Sequence, residues 1–208
     1  MLPHYTVLKL SDLLSTHGED VTRQILSTFY SPNNKDVDNF IKEKAIIFDE
    51  QSFAKVHLVF TQYKGNQVLA GYYALANKSF VIKAGVNKTS TAKISQSLRK
   101  RIARFAYLDK DTNQFIVTAP LIGQLGKNYN FKDLITGDIL LEYACDTVRE
   151  VQSLTGGKFV YLECEDKPFL IDFYTRNGFV NFGKRYLEYD EKDGLSGTYL
   201  IQMLKYLK

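Results

Sequence analysis

The residues whose types and spacing suit chemistry lie in three places. The first is "KNYNFKDLITGDILLEYACDTV", in which Gly137 stands just before a long apolar helical pattern. A helix that begins after a strand offers backbone N–H groups without intrahelical partners and a partial positive charge, which together suit a pyrophosphate. The second is "FYTRNGF", where Tyr174 sits near the end of a short helical pattern stopped by Gly178. The third is basic. Between Gln51 and Leu108 there are ten Lys or Arg and no Asp or Glu, although the whole chain carries a net charge of only +4. The other 150 residues therefore bear a net of −6. Such segregation suits an anionic partner, a nucleotide cofactor or a nucleic acid, and the alternative is a solvated lysine-rich surface.

Other constellations are excluded by their spacing. "GQLGKN" has two residues between its glycines where a Walker loop has four, and Asn128 stands where Ser or Thr is required. No GxGxxG occurs, and His4, His17 and His57 are scattered without metal-ligand spacing, so no metal site is expected. No nucleophile elbow announces a Ser-His-Asp arrangement. Cys145 and Cys164 lie inside apolar-periodic segments and read as buried thiols rather than a disulfide framework.

The elements that must position these residues follow from periodicity. "YTVLKLSD" alternates as a strand; "EDVTRQILSTFYS" and "KDVDNFIKEKAIIFDEQS" have helical spacing. Two β-rich runs flank the turn Lys64-Gly65-Asn66. Residues 83–108 form a basic amphipathic segment, with Ile94, Leu98, Ile102 and Phe105 on one face and Lys93, Arg99, Lys100, Arg101 and Arg104 largely on the others. "NQFIVTAPLIGQLGKN" is a long strand whose Pro120 implies an edge, a bulge or a splay. The helix from Gly137 presents Ile139, Leu140, Tyr143, Ala144, Thr147, Val148, Val151 and Leu154 until Gly156-Gly157 ends it. "KFVYLECE" is a strand, Asp166 is placed to cap the helix "KPFLIDFYTRN", and two strands close the chain.

The order β, α, α, β, β, basic helix, β, α, β, α, β, β predicts a mixed α/β (α+β) fold, a sheet with helices packed on it. With 208 residues, 45% of them hydrophobic, one domain spanning 1–208 is expected. No stretch reads as a secretory signal or a membrane span, and the expected location is the cytoplasm.

At this level the chain resembles the GNAT superfamily of acetyl-CoA-dependent N-acetyltransferases. Its pyrophosphate loop reads Arg/Gln-x-x-Gly-x-Gly/Ala, and here Lys132 takes the first position, Ile135 the first glycine and Gly137 the second. "GQLGKNYNFKDLITGDILLEYA", "GYYALA" and "FYTRNGF" follow in the order of a branch that includes toxins acetylating aminoacyl-tRNA, over roughly residues 55 to 185.

The resemblance implies a largely antiparallel sheet of six to seven strands, with acetyl-CoA as cosubstrate. Leu125, Gly126 and Lys127 would pair with the pantetheine arm. Lys132, Asp133, Leu134, Ile135, Thr136, Gly137 and Asp138 would hold the pyrophosphate, with φ negative at Ile135, since a β-branched residue resists φ > 0. Tyr174 would protonate the departing thiolate. Lys93, Arg99, Lys100, Arg101 and Arg104 would lie along tRNA phosphates, and an antitoxin protein would be a partner. Glu163, Glu165 or His57 are the groups able to take a proton from the acceptor amine. Two alternatives stay open: a protein lysine or small amine as acceptor, or a non-catalytic nucleic-acid or protein-binding module.

Overall fold

The computed structural model describes residues 4–83, 94–189, 195 and 197–208. The elements are β1 (Tyr5–Lys9), α1 (Leu10–Ser27), α2 (Lys35–Asn39), a π-helical turn (Phe40–Lys44), α3 (Ala45–Glu50), β2 (Lys55–Tyr63) and β3 (Asn66–Lys83). There follow α4 (Gln96–Phe105), β4 (Tyr107–Asp109), β5 (Gln114–Lys127), a 3₁₀ turn (Tyr129–Phe131), α5 (Gly137–Thr155), β6 (Phe159–Glu165), α6 (Pro168–Arg176), β7 (Val180–Tyr186) and β8 (Tyr199–Tyr206). The eight-stranded sheet has the order β1-β2-β3-β5-β6-β8-β7, with β4 added beside β5. The pairings β1–β2, β2–β3, β4–β5, β6–β8 and β7–β8 are antiparallel. The expected order of elements is present, with β4 as the addition.

The chain forms two compact units, Met1–Ala76 with Ile122–Asp146, and Asn77–Leu121 with Thr147–Lys208. In the first, β1, β2 and β3 are covered by α1 to α3, and the core is built on Leu10, Leu26, Phe29, Ile41, Leu58 and Tyr72. Helix α1 begins at Leu10, earlier than the periodicity predicts, and is broken at Gly18, whose φ of 77° suits a residue without Cβ. The break hides the continuity from a pattern search, because the apolar face changes phase across it. Asn34 starts α2 by accepting from the N–H groups of Asp36 and Val37. Lys64 and Gly65, at φ 49° and 82°, make a two-residue hairpin turn between β2 and β3.

In the second unit, α4 places Leu98 and Ile102 against Phe80, Val117, Phe159 and Tyr161. Ser95 caps this helix by accepting from the Leu98 N–H at 3.2 Å. Phe105, predicted on the same buried face, is 47% exposed; it lies at the last turn, where it meets Phe159 by its ring edge alone.

Three further expectations are corrected. Of the three readings of Pro120, the edge is overturned, because β5 lies between β3 and β6. The buried stripe of α5 is Leu140, Leu141, Ala144, Cys145 and Val148, while Leu154 is 87% exposed. The last turn therefore contributes Gln152 instead, whose Nε2 donates to the Phe159 carbonyl at 2.7 Å. Asp166 does not cap α6. The cap position is Lys167, whose side chain makes no capping bond, and Asp166 instead accepts from the Tyr199 hydroxyl and pairs with Lys184 at 3.7 Å. Pro168 at the first turn has its φ already set for the helix and removes one of the N–H groups that lack an intrahelical partner. Both cysteines are buried and neither is in a disulfide.

Candidate active site

The end of β5 is fixed by what surrounds Gly126. A Cβ there would lie 2.4 Å from Val37 Cγ1, 3.1 Å from Phe29 Cζ and 3.3 Å from Tyr72 Cε1, so only glycine allows α2 and the aromatic core to close on the strand. Helix α2 grips the same strand two residues earlier, where Gln124 Nε2 donates to Asp36 Oδ2 at 2.7 Å. Leu125 and Lys127 are half-buried on either side of Gly126.

Asn128, fully buried, locks the chain as it leaves β5. Its N–H donates to the Ala70 carbonyl at 2.8 Å. Its Nδ2 donates to the carbonyls of Thr28 and Leu69 at 3.1 and 2.9 Å, and its Oδ1 accepts from the N–H groups of Tyr30 and Asn130. The sequence signal for this role is modest: an asparagine at the close of a strand forms turns readily. Its partners lie up to 100 residues away in the chain and leave no local trace.

From there the 3₁₀ turn leads into the loop. Lys132 has φ −55° and ψ −26°, and the Leu134 N–H donates to the Phe131 carbonyl at 3.0 Å. The Leu134 carbonyl accepts from the Tyr5 hydroxyl at 2.6 Å, a tether between β1 and the loop that the sequence does not reveal. Burial, and then the neighbouring Tyr143, push the Tyr5 phenol up, which keeps it a donor. Ile135 is not among the positive-φ residues and is 2% exposed, its side chain sunk in the core. Lys132, Asp133 and Thr136 around it are exposed. Thr136 caps α5: its Oγ1 accepts from the Ile139 N–H at 3.2 Å, and its carbonyl accepts from the Leu140 N–H. Gly137 is the first residue of α5 and Asp138 lies in its first turn, both half-buried. Lys127 leans over the loop, with Nζ 3.2 Å from the Lys132 carbonyl. Leu125 to Lys127 and Lys132 to Asp138 are thus brought into one connected strand–turn–helix arrangement in the first unit.

In the second unit, Tyr174 lies in α6, its ring edge-on to Phe173 at 4.9 Å and to Phe179 at 5.8 Å between centroids. Its hydroxyl makes no hydrogen bond among the described residues. Burial, with a smaller contribution from Cys164, raises its pKa, so the phenol holds its proton throughout the physiological range.

The candidate bases are engaged. Glu163 Oε1 and Oε2 accept from Arg185 Nε at 2.8 and 2.9 Å, and Oε2 also from Arg185 Nη2 at 2.7 Å; the Tyr161 hydroxyl donates to Oε1 and Lys78 stands 3.8 Å away. Burial pushes this carboxyl up, but Arg185, Tyr161 and Lys78 outweigh it and hold it below the usual range. Glu165 accepts from Lys167 Nζ at 2.7 Å. His57, in the first unit, is buried and stacked on Tyr73 with ring centroids 4.9 Å apart.

Of the predicted RNA-facing cations, Lys93 lies outside the described residues. Lys100, Arg101 and Arg104 are exposed on α4, and Arg99 is half-buried with Nη1 donating to the Lys83 carbonyl at 3.2 Å. The Arg101 guanidinium is held 4.5 Å from the Tyr206 ring centroid, pre-set rather than free to wander. Among the described residues there is no cluster of His, Cys, Asp or Glu suited to a metal ion, and no helix long and apolar enough to cross a membrane.

Comparison with protein-family models and with curated proteins finds no match. Comparison of structures does. The chain is similar to AtaT complexed with acetyl-methionyl-tRNAfMet (TM-score 0.62, 15% identity, 95% of this chain and 94% of that one). It is similar to a tyrosine-to-phenylalanine mutant of KacT (0.60, 15%, 95% and 93%) and to a structure described as a bacterial toxin (0.62, 16%, 99% and 92%). At these identities the likeness is one of fold, and the fold implied by the sequence resemblance is the one present: the chain shares the architecture of the AtaT and KacT toxins.

Proposed function

We propose that this protein transfers an acetyl group from acetyl-CoA to a primary amine, and that the amine is the α-amino group of an aminoacyl-tRNA. The observation that carries the reading is the turn into α5. Ile135 is buried there without positive φ, so a loop with one glycine keeps its polar flanks outward at a capped helix start. That arrangement, with Lys127 and Lys132 beside it, fits a pyrophosphate.

When bound, acetyl-CoA supplies an activated acyl group as a thioester. The chain's own residues do the rest. The C-terminal end of β5, held by Gly126 and Asn128, aligns the pantetheine arm, while the amides from Leu134 to Asp138 and the Lys132 ammonium take the phosphates. As the amine nitrogen attacks the acyl carbon and the C–S bond breaks, Tyr174 Oη donates its proton to the leaving sulfur. An α-amino group on an ester is already partly neutral at cellular pH, so no dedicated base is needed to free its lone pair; the proton that the nitrogen loses as the amide forms passes to water, from which the Tyr174 phenolate regains the one it gave to sulfur. This agrees with Glu163 and Glu165 being committed to Arg185 and Lys167. Arg99, Lys100, Arg101 and Arg104 bind RNA phosphates. An antitoxin protein is a further partner: the neighbours include AtaT bound to the C-terminus of the antitoxin AtaR and to acetyl-CoA.

The test is calorimetric titration with acetyl-CoA of the wild type and Lys132→Ala, followed by acetylation of charged tRNA by the wild type and Tyr174→Phe. Saturable binding weakened by Lys132→Ala, and transfer slowed at least about 100-fold by Tyr174→Phe, are expected. Absence of saturable binding refutes the reading.

A further inference from the structure

Tyr5 reaches from the first strand to the loop before α5. Leu8 of β1 packs against the core beneath α1 to α3, so the alternation of the strand sends Tyr5 to the opposite face. There its ring meets Tyr143 of α5 edge-on, with centroids 5.9 Å apart, and its hydroxyl donates to the Leu134 carbonyl at 2.6 Å. The backbone of Tyr5 is itself fixed. It pairs with Thr61 of β2, whose hydroxyl donates to the His4 carbonyl at 3.0 Å. One side chain therefore holds the loop by its hydroxyl and the helix after the loop by its ring.

The direction of the Leu134 carbonyl decides that of the next amide. A trans peptide unit is planar, with its C=O and N–H pointing opposite ways, so turning this carbonyl to Tyr5 turns the Ile135 N–H away from β1. Leu134 is held from its other side as well, its own N–H donating to the Phe131 carbonyl at 3.0 Å. Among the described residues, the N–H groups of Ile135, Thr136 and Gly137 make no hydrogen bond. Ile135 is 2% exposed, so water has little access to its N–H, and a donor so enclosed is ordinarily paired. An anionic oxygen supplies the acceptor that the chain does not, and N–H bonds to charged oxygens are the strong ones.

We propose that Tyr5 is a positioning residue for the cosubstrate: through the Leu134 carbonyl it aims the Ile135 N–H, beside those of Thr136 and Gly137, at the pyrophosphate of acetyl-CoA. This role rests on the loop being the pyrophosphate site, as proposed above. The ring contact with Tyr143 serves packing, and phenylalanine would keep it; the hydroxyl is the part that sets the peptide plane.

The experiment compares the full chain as wild type and Tyr5→Phe, isotopically labelled at the isoleucine nitrogens, by calorimetric titration with acetyl-CoA and by amide NMR spectra, at a temperature where both proteins are fully folded. Loss of one resonance in Ile135→Val assigns the Ile135 amide. Acetyl-CoA affinity is expected to fall about tenfold in Tyr5→Phe, the scale of losing one aligned bond to a charged group. In the wild type the Ile135 amide proton should move downfield on saturation with acetyl-CoA, and in Tyr5→Phe saturation should move it less. An affinity of Tyr5→Phe within about twofold of the wild type overturns the proposal. So does an equal movement of the Ile135 amide in both proteins, which would make Tyr5 a staple of the fold, or a wild-type Ile135 amide that acetyl-CoA leaves in place. If the wild type binds no acetyl-CoA, the pyrophosphate reading of the loop fails and the role of Tyr5 fails with it. If the wild type and Tyr5→Phe bind acetyl-CoA equally, the cofactor reading stands and only the role of Tyr5 is lost.

Discussion

Replacing Arg185 by methionine isolates the buried charge of Glu163. That carboxylate is 8% exposed at its side chain and receives three contacts from one guanidinium, at 2.7, 2.8 and 2.9 Å. Removing a partner from a buried pair costs about 3–5 kcal/mol, because the remaining charge stays desolvated. Here Tyr161, Gln202 and Lys78 remain, so the lower end applies, about 3 kcal/mol. In a chain of this size that corresponds to a fall in Tm of roughly 6–12 °C.

The pH dependence sharpens the test. In the wild type Glu163 sits below its unfolded value, so its contribution is complete above about pH 4.3 and is lost as pH falls through the folded pKa. In Arg185→Met the guanidinium no longer offsets burial, so the folded pKa rises and the variant takes up a proton as pH falls from 7 towards 4.5. The stability gap between the two proteins is therefore widest at pH 7 and narrows towards pH 4.5. Urea denaturation at both pH values measures it. A gap under about 1 kcal/mol at pH 7, or one that does not change with pH, refutes the assignment of Glu163 as a charge held by Arg185.

Two further changes probe the strand end that would carry pantetheine. Asn128→Ala leaves the buried Leu69 carbonyl and the Tyr30 N–H without partners, and should cost about 3 kcal/mol in denaturant unfolding while weakening acetyl-CoA binding. Gly126→Ala should cost about 2 kcal/mol through overpacking against Val37, and Gly126→Ala with Val37→Ala should cost less than the sum of the two single changes, as a double-mutant cycle will read.

Much of the architecture was legible because it rests on local periodicity and punctuation. The two-residue turn at Lys64-Gly65, the stop at Gly156-Gly157 and the Pro168 start of α6 each act within a few residues of themselves. What escaped depends on distant partners or on phase. The stripe of α5 came out rotated because Val151 and Leu154 are apolar without being buried, and hydrophobicity alone does not say which of two neighbouring arcs faces the core. Tyr5, Asn128 and Arg185 bind groups 129, 100 and 22 residues away, so nothing beside them in the sequence marks their roles. At Pro120 the edge is the alternative that fails, because β5 lies inside the sheet and nothing local to a proline says which strands become its neighbours.

The loop before α5 raises a sharper question, because a glycine there and an isoleucine there predict opposite outcomes. If the loop serves by letting backbone approach phosphate, Ile135→Gly should tighten acetyl-CoA binding. If it serves by being anchored, the same change should loosen it. The structure favours anchoring: Ile135 is buried, the Leu134 carbonyl is tied to Tyr5, and Thr136 caps the helix that follows. Between those ties the isoleucine side chain is the hydrophobic peg that keeps the amides in place. Removing it forfeits its burial and adds glycine's backbone entropy, together about 4 kcal/mol of stability. Acetyl-CoA affinity should fall by at least about tenfold even at a temperature where the variant is fully folded, since the amides must then be ordered at the expense of binding. Calorimetry on folded Ile135→Gly decides it, and a tighter complex would mean that the peg obstructs the loop rather than presents it.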